Sequence, residues 1–139
     1  MKRSFTYIEI IVTMAIISII MSIAVIKLGT LDNIKEKNEF RTIIKNIKYA
    51  RNLALSSREQ VEVGFKNDHY DIRISNKSDK KYYENLKMSK CEYSGNSLNF
   101  NAAGRPNRAG TIVFLGKERK YILTIGVATG KVNIKGKIE

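Results

Sequence analysis

The sequence predicts an α+β chain in which one long N-terminal helix, apolar in its first half and amphipathic in its second, packs on a C-terminal antiparallel β-sheet. Three observations predict it. A charge-free apolar run extends from Ile10 to Ile26. Apolar residues then recur at three- and four-residue steps as far as Ala54, and beyond Ser56-Ser57 the apolar period falls to two.

The run is preceded by Lys2 and Arg3, carries Glu9 at its threshold and meets no further charge until Lys27. As a helix, Ile10 to Ile26 would be about 26 Å long, slightly short of a hydrocarbon core of roughly 30 Å; starting at Phe5 lengthens it to about 33 Å. The longer span draws Glu9 into lipid, where an ionised carboxylate costs about 2.5–3.5 kcal/mol on the lower scales, so it needs a counter-ion. Cleavage between Ser4 and Phe5 would supply one, because the new amine would stand four residues before Glu9 on the same helix face. Two other readings of the segment stay open. One is a secretory signal peptide with Ser22-Ile23-Ala24 as its cut site, against which the edge carboxylate and the length of the run both weigh. The other is a plain single-pass anchor. In either anchored reading Lys2 and Arg3 keep the N-terminus cytoplasmic and the rest of the chain outside.

Beyond the leader and this segment roughly a hundred residues remain, enough for one modest core. Cys91 is the only cysteine, which excludes an intramolecular disulfide. The formal net charge of +12 suggests an anionic partner such as nucleic acid, cell-wall polymer or lipid headgroups, and the abundance of Lys, Ile and Asn offers compositional bias as an equal explanation.

Past Lys27, Gly29-Thr30 is a weak point where a helix either runs through or bends. Phe40, Ile43, Ile44, Ile47, Ala50, Leu53 and Ala54 then form an apolar stripe, with Lys35, Lys37, Arg41, Lys45, Lys48 and Arg51 on other faces. Val61, Val63 and Phe65 alternate with polar residues and Gly64, Asn67-Asp68 offers a turn, and Tyr70, Ile72 and Ile74 alternate again, which predicts a hairpin lying on the stripe. Residues 76–81 read as a polar loop, and 82–93 carry mixed strand and irregular signals. Ser94-Gly95-Asn96 reads as a turn, and Ser97–Phe100 as a strand. A loop over 101–110 holds the only proline, and strands are predicted at Thr111–Leu115, Tyr121–Val127 and Lys131–Lys135.

The leader region, Phe5-Thr6-x-x-Glu9 followed by an apolar helix, resembles the processing segment of type IV prepilins and pseudopilins. Ala50-Arg51-x-x-Ala54, Ser57-Arg58-x-Gln60, Phe100-Asn101-x-x-Gly104-x-Pro106-Asn107-x-Ala109-Gly110 and Gly130-Lys131-Val132-Asn133-Ile134 are similar to GspH/FimT-like minor pseudopilins, and in particular to the ComGD-type group of Gram-positive competence operons. Ser4 stands where the family usually has Gly, and the run lacks the proline of major pilins, which points to a minor subunit. The resemblance implies a pilin-like fold divided into a leader (1–4), a transmembrane and assembly segment (5–27), an amphipathic continuation (28–59) and an extracytoplasmic sheet domain (60–139). It implies cleavage at Ser4-Phe5 and methylation of Phe5 by a prepilin peptidase. Glu9 would be the carboxylate that pairs with a neighbouring subunit's terminus. The implied partners are other pilin subunits and the cytoplasmic membrane. The implied machine is a DNA-uptake pseudopilus, with type II secretion or a surface pilus as the alternative.

Some FimT-like proteins bind DNA through a Gly-Arg-x-Arg pattern, of which Gly130-Lys131-Val132-Asn133 keeps one cation. Arg105, Arg108, Lys117, Arg119, Lys120, Lys131 and Lys135 are therefore the candidate DNA contacts. Few aromatics interleave with them, so the expected binding is weak, phosphate-directed and sensitive to salt. Chemistry of other kinds is not signalled. Strand alternation places His69 and Asp71 together on an exposed face without a nucleophile. No Cys/His spacing suits zinc and no Gly-rich loop joins a strand to a helix. The expectation is a non-enzyme without cofactor.

Overall fold

A computed structural model describes residues 6–128 and 131–139, with the side chains of 23–30 and 128–135 outside that description. The chain divides into two compact units, Met1–Lys35 and Glu36–Glu139. Helix α1 (Tyr7–Ser57) supplies residues to both. Its backbone is assigned helical through Gly29-Thr30, so the weak point does not end it. The stop comes at Arg58, whose φ of 56° leaves the helical region, while the hydroxyls of Ser56 and Ser57 both donate to the Leu53 carbonyl.

In the second unit eight strands follow: β1 (Val61–Phe65), β2 (His69–Ile74), β3 (Lys77–Tyr82), β4 (Lys87–Cys91), β5 (Ser97–Phe100), β6 (Gly110–Leu115), β7 (Lys120–Ala128) and β8 (Lys131–Ile138). They form two antiparallel sheets, β3-β2-β1-β5 and β4-β6-β7-β8, where the sequence suggested one. The expected hairpin is β1–β2, with Val63 opposite Ile72.

Residues 77–82 are a strand and not the expected loop. The two residues Ser75 and Asn76, with Ser75 at a φ of 48°, turn the chain back so that Lys77 faces Ile74 and Tyr82 faces His69. None of β3 is fully buried, so no apolar period marks it in the sequence. The ambiguous stretch 82–93 holds β4, where an irregularity between Met88 and Lys90 breaks the alternation that would have revealed it.

The stripe on α1 is the wall of the core. Ile43, Ile47, Ala50 and Ala54 are at most 1% exposed, and the two alanines let the strands approach the helix closely. Phe114 joins the layers: its ring lies 6.2 Å from Phe40 of the helix, 6.5 Å from Phe65 of the first sheet and 5.6 Å from Tyr83 of the connection between sheets. Burial of this aromatic and aliphatic cluster is the main driving term for folding.

Two carboxylates on neighbouring turns of the helix hold loops. Glu36, 2% exposed, accepts the Lys117 backbone N–H at 2.8 Å and the Tyr121 hydroxyl at 3.0 Å. A Cβ on Gly116 would lie 2.1 Å from Glu36 Oε2, so only glycine fits there. Glu39 accepts the backbone N–H groups of Glu84 at 2.8 Å and Asn85 at 2.7 Å, and the Asn85 side chain at 2.9 Å. Hydrogen bonds to an ionised acceptor are stronger than neutral ones, so these acids fix the β6–β7 turn and the β3–β4 connection against the helix.

Replacing Ile47 by Ala should lower unfolding stability by about 2–5 kcal/mol, whereas Tyr49→Ala on the exposed side of the same turn should stay within about 0.5 kcal/mol. Denaturant titration followed by tyrosine fluorescence measures both, and equal losses would contradict the placement of the stripe.

Candidate assembly and binding surfaces

The N-terminal part of α1 begins with a local arrangement that the charge argument overlooked. Thr6 precedes the first helical residue, and its hydroxyl donates to Glu9 Oε2 at 3.5 Å, while Glu9 N–H donates to the Thr6 carbonyl at 3.0 Å. Thr6 and Glu9 are thus joined to each other across the first turn, and a carboxylate there suits the positive end of the helix dipole. From Tyr7 to Ser22 every residue is exposed, including Ile11 at 52%, Ile16 at 52% and Ile20 at 61%. The hydroxyls here turn inward along the helix: Thr13 donates to the Ile10 carbonyl, Ser18 to Met14 and Ser22 to Ser18, at 2.8–2.9 Å. Their donors are satisfied without water, which leaves an apolar surface on all sides. Among the described residues no helix is long and apolar enough to cross a membrane. Ser4 and Phe5, the expected cleavage and methylation residues, lie outside the described residues, as do the side chains of 23–27 in the expected assembly segment.

The seven cations expected to meet DNA do not form one patch. Arg105 and Arg108 sit in the 101–110 loop at the C-terminal end of the helix, where Arg51 Nε donates to the Gly104 carbonyl at 3.2 Å. Lys117 and Arg119 sit on the turn held by Glu36, and a Cβ on Gly104 would meet Leu55 at 2.6 Å. Glu36 and Leu55 are separated by about 28 Å of helix, so the two groups stand at opposite ends of the part that packs on the sheets. Arg108 is also engaged: its guanidinium lies 5.7 Å from the Tyr93 ring centroid and donates to the Glu92 carbonyl.

Sheet pairing assembles a different group, around Lys120. On the face of β4-β6-β7-β8 away from the core, Lys87 stands opposite Leu115 and Leu115 opposite Lys120. One row along, Lys90 stands opposite Val113, Val113 opposite Ile122 and Ile122 opposite Lys137. All four lysines are exposed, with a half-exposed aliphatic centre between them, and Lys137 also pairs with Glu139. Lys131 and Lys135 stand opposite Ala128 and Thr124 in the β7–β8 ladder, with side chains outside the described residues. Lys87 and Lys90 were missed because only the register of β4 brings them here.

His69 and Asp71 do not share an exposed face. Asp71 is 5% exposed and ion-paired to Arg73, which also reaches Glu62 at 3.5 Å, and a Cβ on Gly64 would lie 2.7 Å from both Asp71 and Arg73. His69 Nδ1 instead meets Asp68 at 2.7 Å, and that hydrogen bond holds the Asp68 carboxyl below its ordinary range. Cys91 is half-buried and its thiol is pushed up by burial, which disfavours the reactive thiolate. Among the described residues no group of three or more His, Cys, Asp or Glu side chains is placed to hold a metal. A cleft of about 580 Å³ lies between Tyr49 and Leu53 of the helix and Ile72, Ile74 and Asp79 of β2 and β3, with no nucleophile paired to a base in its lining.

Comparison with protein-family models, with curated proteins and with solved structures finds no match to this chain.

The buried phenols make alkaline stability a test of this packing. Burial, and for Tyr121 also its hydrogen bond to Glu36, pushes Tyr93 and Tyr121 up to about 12 from an ordinary 10.0. The folded state therefore keeps protons that the unfolded chain releases. Its stability should be intact below pH 10.0 and fall as pH rises towards about 12. In denaturant titrations across that range Tyr121→Phe should show a shallower decline than the parent, and an unchanged slope would mean Tyr121 ionises freely in the fold.

Proposed function

We propose that this chain is a minor pseudopilin, a non-catalytic subunit of a type IV pilus-like filament, with a pilin-like fold and a single N-terminal segment in the cytoplasmic membrane. The observation that carries the reading is the helix from Tyr7 to Ser22, which presents large apolar side chains on every face and has Glu9 as its only ionisable group apart from Tyr7. A helix apolar all round needs lipid or other helices as its surroundings. A subunit that waits in a membrane and then packs in a filament core meets both in turn.

In this reading a prepilin peptidase removes residues 1–4 and methylates Phe5. The new terminal amine then pairs with Glu9 of the same or a neighbouring subunit. The hydroxyl of Thr6 keeps the carboxylate hydrogen-bonded before that pairing forms. The sheet-bearing unit faces outside, and a DNA-uptake pseudopilus is the machine favoured by the sequence resemblance.

The mature protein should begin at N-methylated Phe5, which the mass of its N-terminal peptide reports; a chain starting at Met1 or near Val25 would sink the proposal. Glu9→Ala should abolish incorporation into sheared filaments while leaving the protein in the membrane fraction, and normal assembly of that variant would remove the assigned role of Glu9.

A second reading, a DNA-binding module, is favoured by one observation: the lysines at 87, 90, 120 and 137 gathered on the outer face of one sheet. Binding through them would be phosphate-directed, so duplex DNA should bind at low salt and dissociate at high salt, with the salt slope reduced by about 2 in the Lys90→Gln, Lys120→Gln double variant. Absence of binding at low salt would end this reading.

A further inference from the structure

The solvent side of α1 carries a feature that neither filament packing nor the basic sheet face uses. Lys37, Arg41, Lys45 and Lys48 are all exposed and follow one another at steps of four, four and three residues. At about 100° per residue they fall within roughly 80° of arc, a straight ridge about 16 Å long. Like charges four apart on a helix repel, so nothing in the isolated helix favours this arrangement. No acid relieves it. Between residues 36 and 57 the helix has only Glu36 and Glu39, and both are turned away and occupied by loop N–H groups. Among the described residues none of the four cations has an ion-pair partner, while Glu62, Asp68, Asp71, Asp79 and Glu139 are each paired with another side chain.

Leu55, 42% exposed, lies in line with the ridge, and Tyr49, 55% exposed, flanks it. Cations in a row beside a tyrosine and a leucine match the layered chemistry of a bilayer surface, where phosphates lie next to the first hydrocarbon. A single nucleic-acid strand would instead call for aromatics interleaved with the cations, whereas the one tyrosine here stands to the side of the row.

We propose that the ridge Lys37-Arg41-Lys45-Lys48 seats the second unit on the headgroups of an anionic bilayer. The proposal rests on the reading of residues 5–27 as a membrane segment, because that tether holds the ridge at high effective concentration near one leaflet. The Gly29-Thr30 step, unfavourable inside a helix, lies between tether and ridge. Contact with the leaflet would hold the subunit down before it enters a filament.

The full chain, reconstituted in vesicles of zwitterionic lipid or of the same lipid with phosphatidylglycerol, can be treated with an amine-acetylating reagent that does not cross the bilayer. Mass spectrometry then reads Lys37, Lys45 and Lys48 against Lys77 and Lys80 of β3. At low salt the three ridge lysines should react roughly fivefold more slowly in the anionic vesicles, the factor equivalent to the attraction of about one cation, and high salt should erase the difference. Equal rates in the two lipids, with the chain still resistant to carbonate extraction, would overturn the proposal and leave the anchor standing. Protection by added duplex DNA but not by anionic vesicles would also overturn it. A chain that carbonate strips from both vesicles would overturn the anchor and this inference together.

Discussion

The second unit depends on how the helix is fastened to two sheets that are not hydrogen-bonded to each other. Aromatic packing around Phe114 joins the helix to the sheets, but apolar contact alone is tolerant of sliding and rotation. Glu36 and Glu39 remove that tolerance. Three residues apart, they are committed to different loops: Glu36 to the β6–β7 turn of one sheet, Glu39 to the segment that leaves β3 of the other. The rotation of the helix and the position of both sheets are thereby fixed by directional bonds at one end, and the alanines at 50 and 54 set the approach at the other.

Using carboxylates this way shapes the electrostatics of the whole surface. The chain has 13 acidic residues against 25 basic ones, and several of the acids serve as internal acceptors or partners. Glu92 likewise accepts the Thr111 N–H at 2.9 Å. The basic surplus is thus concentrated on the outside, along the helix ridge and across the outer sheet face. The two are separate surfaces with separate neighbours: the ridge belongs to the helix, beside Tyr49, and the sheet lysines frame Val113, Leu115 and Ile122.

Much of this architecture is legible in the amino-acid sequence. The stripe from Phe40 to Ala54, the β1–β2 hairpin and the positions of β5, β6 and β7 follow from periodicity, because each has one face in the core and one in water. The parts that escaped have physical reasons. β3 has no buried side chain to mark it, and β4 is interrupted by its irregularity. Glu36 stands four residues before Phe40 and seven before Ile43, in register with the core stripe, so an acid in an apolar row was a signal available for reading. The cations were grouped by nearness in sequence. Antiparallel pairing groups residues by register instead, and so joins Lys90 to Lys137 across 47 positions, while Arg105 and Lys117 fall at opposite ends of the helical stretch 36–57.

The margin of the first sheet limits how copies of this chain can join. Its outer strand, β3, presents Lys77, Lys80 and Lys81 with a single aspartate among them. Two such margins meeting side by side would bring a surplus of ammonium groups over carboxylates into one ladder, and water would be retained in preference to it. Growth by strand-to-strand zipping, the route that leads towards amyloid, is closed on that side, so any orderly polymer of this chain has to find its contacts elsewhere.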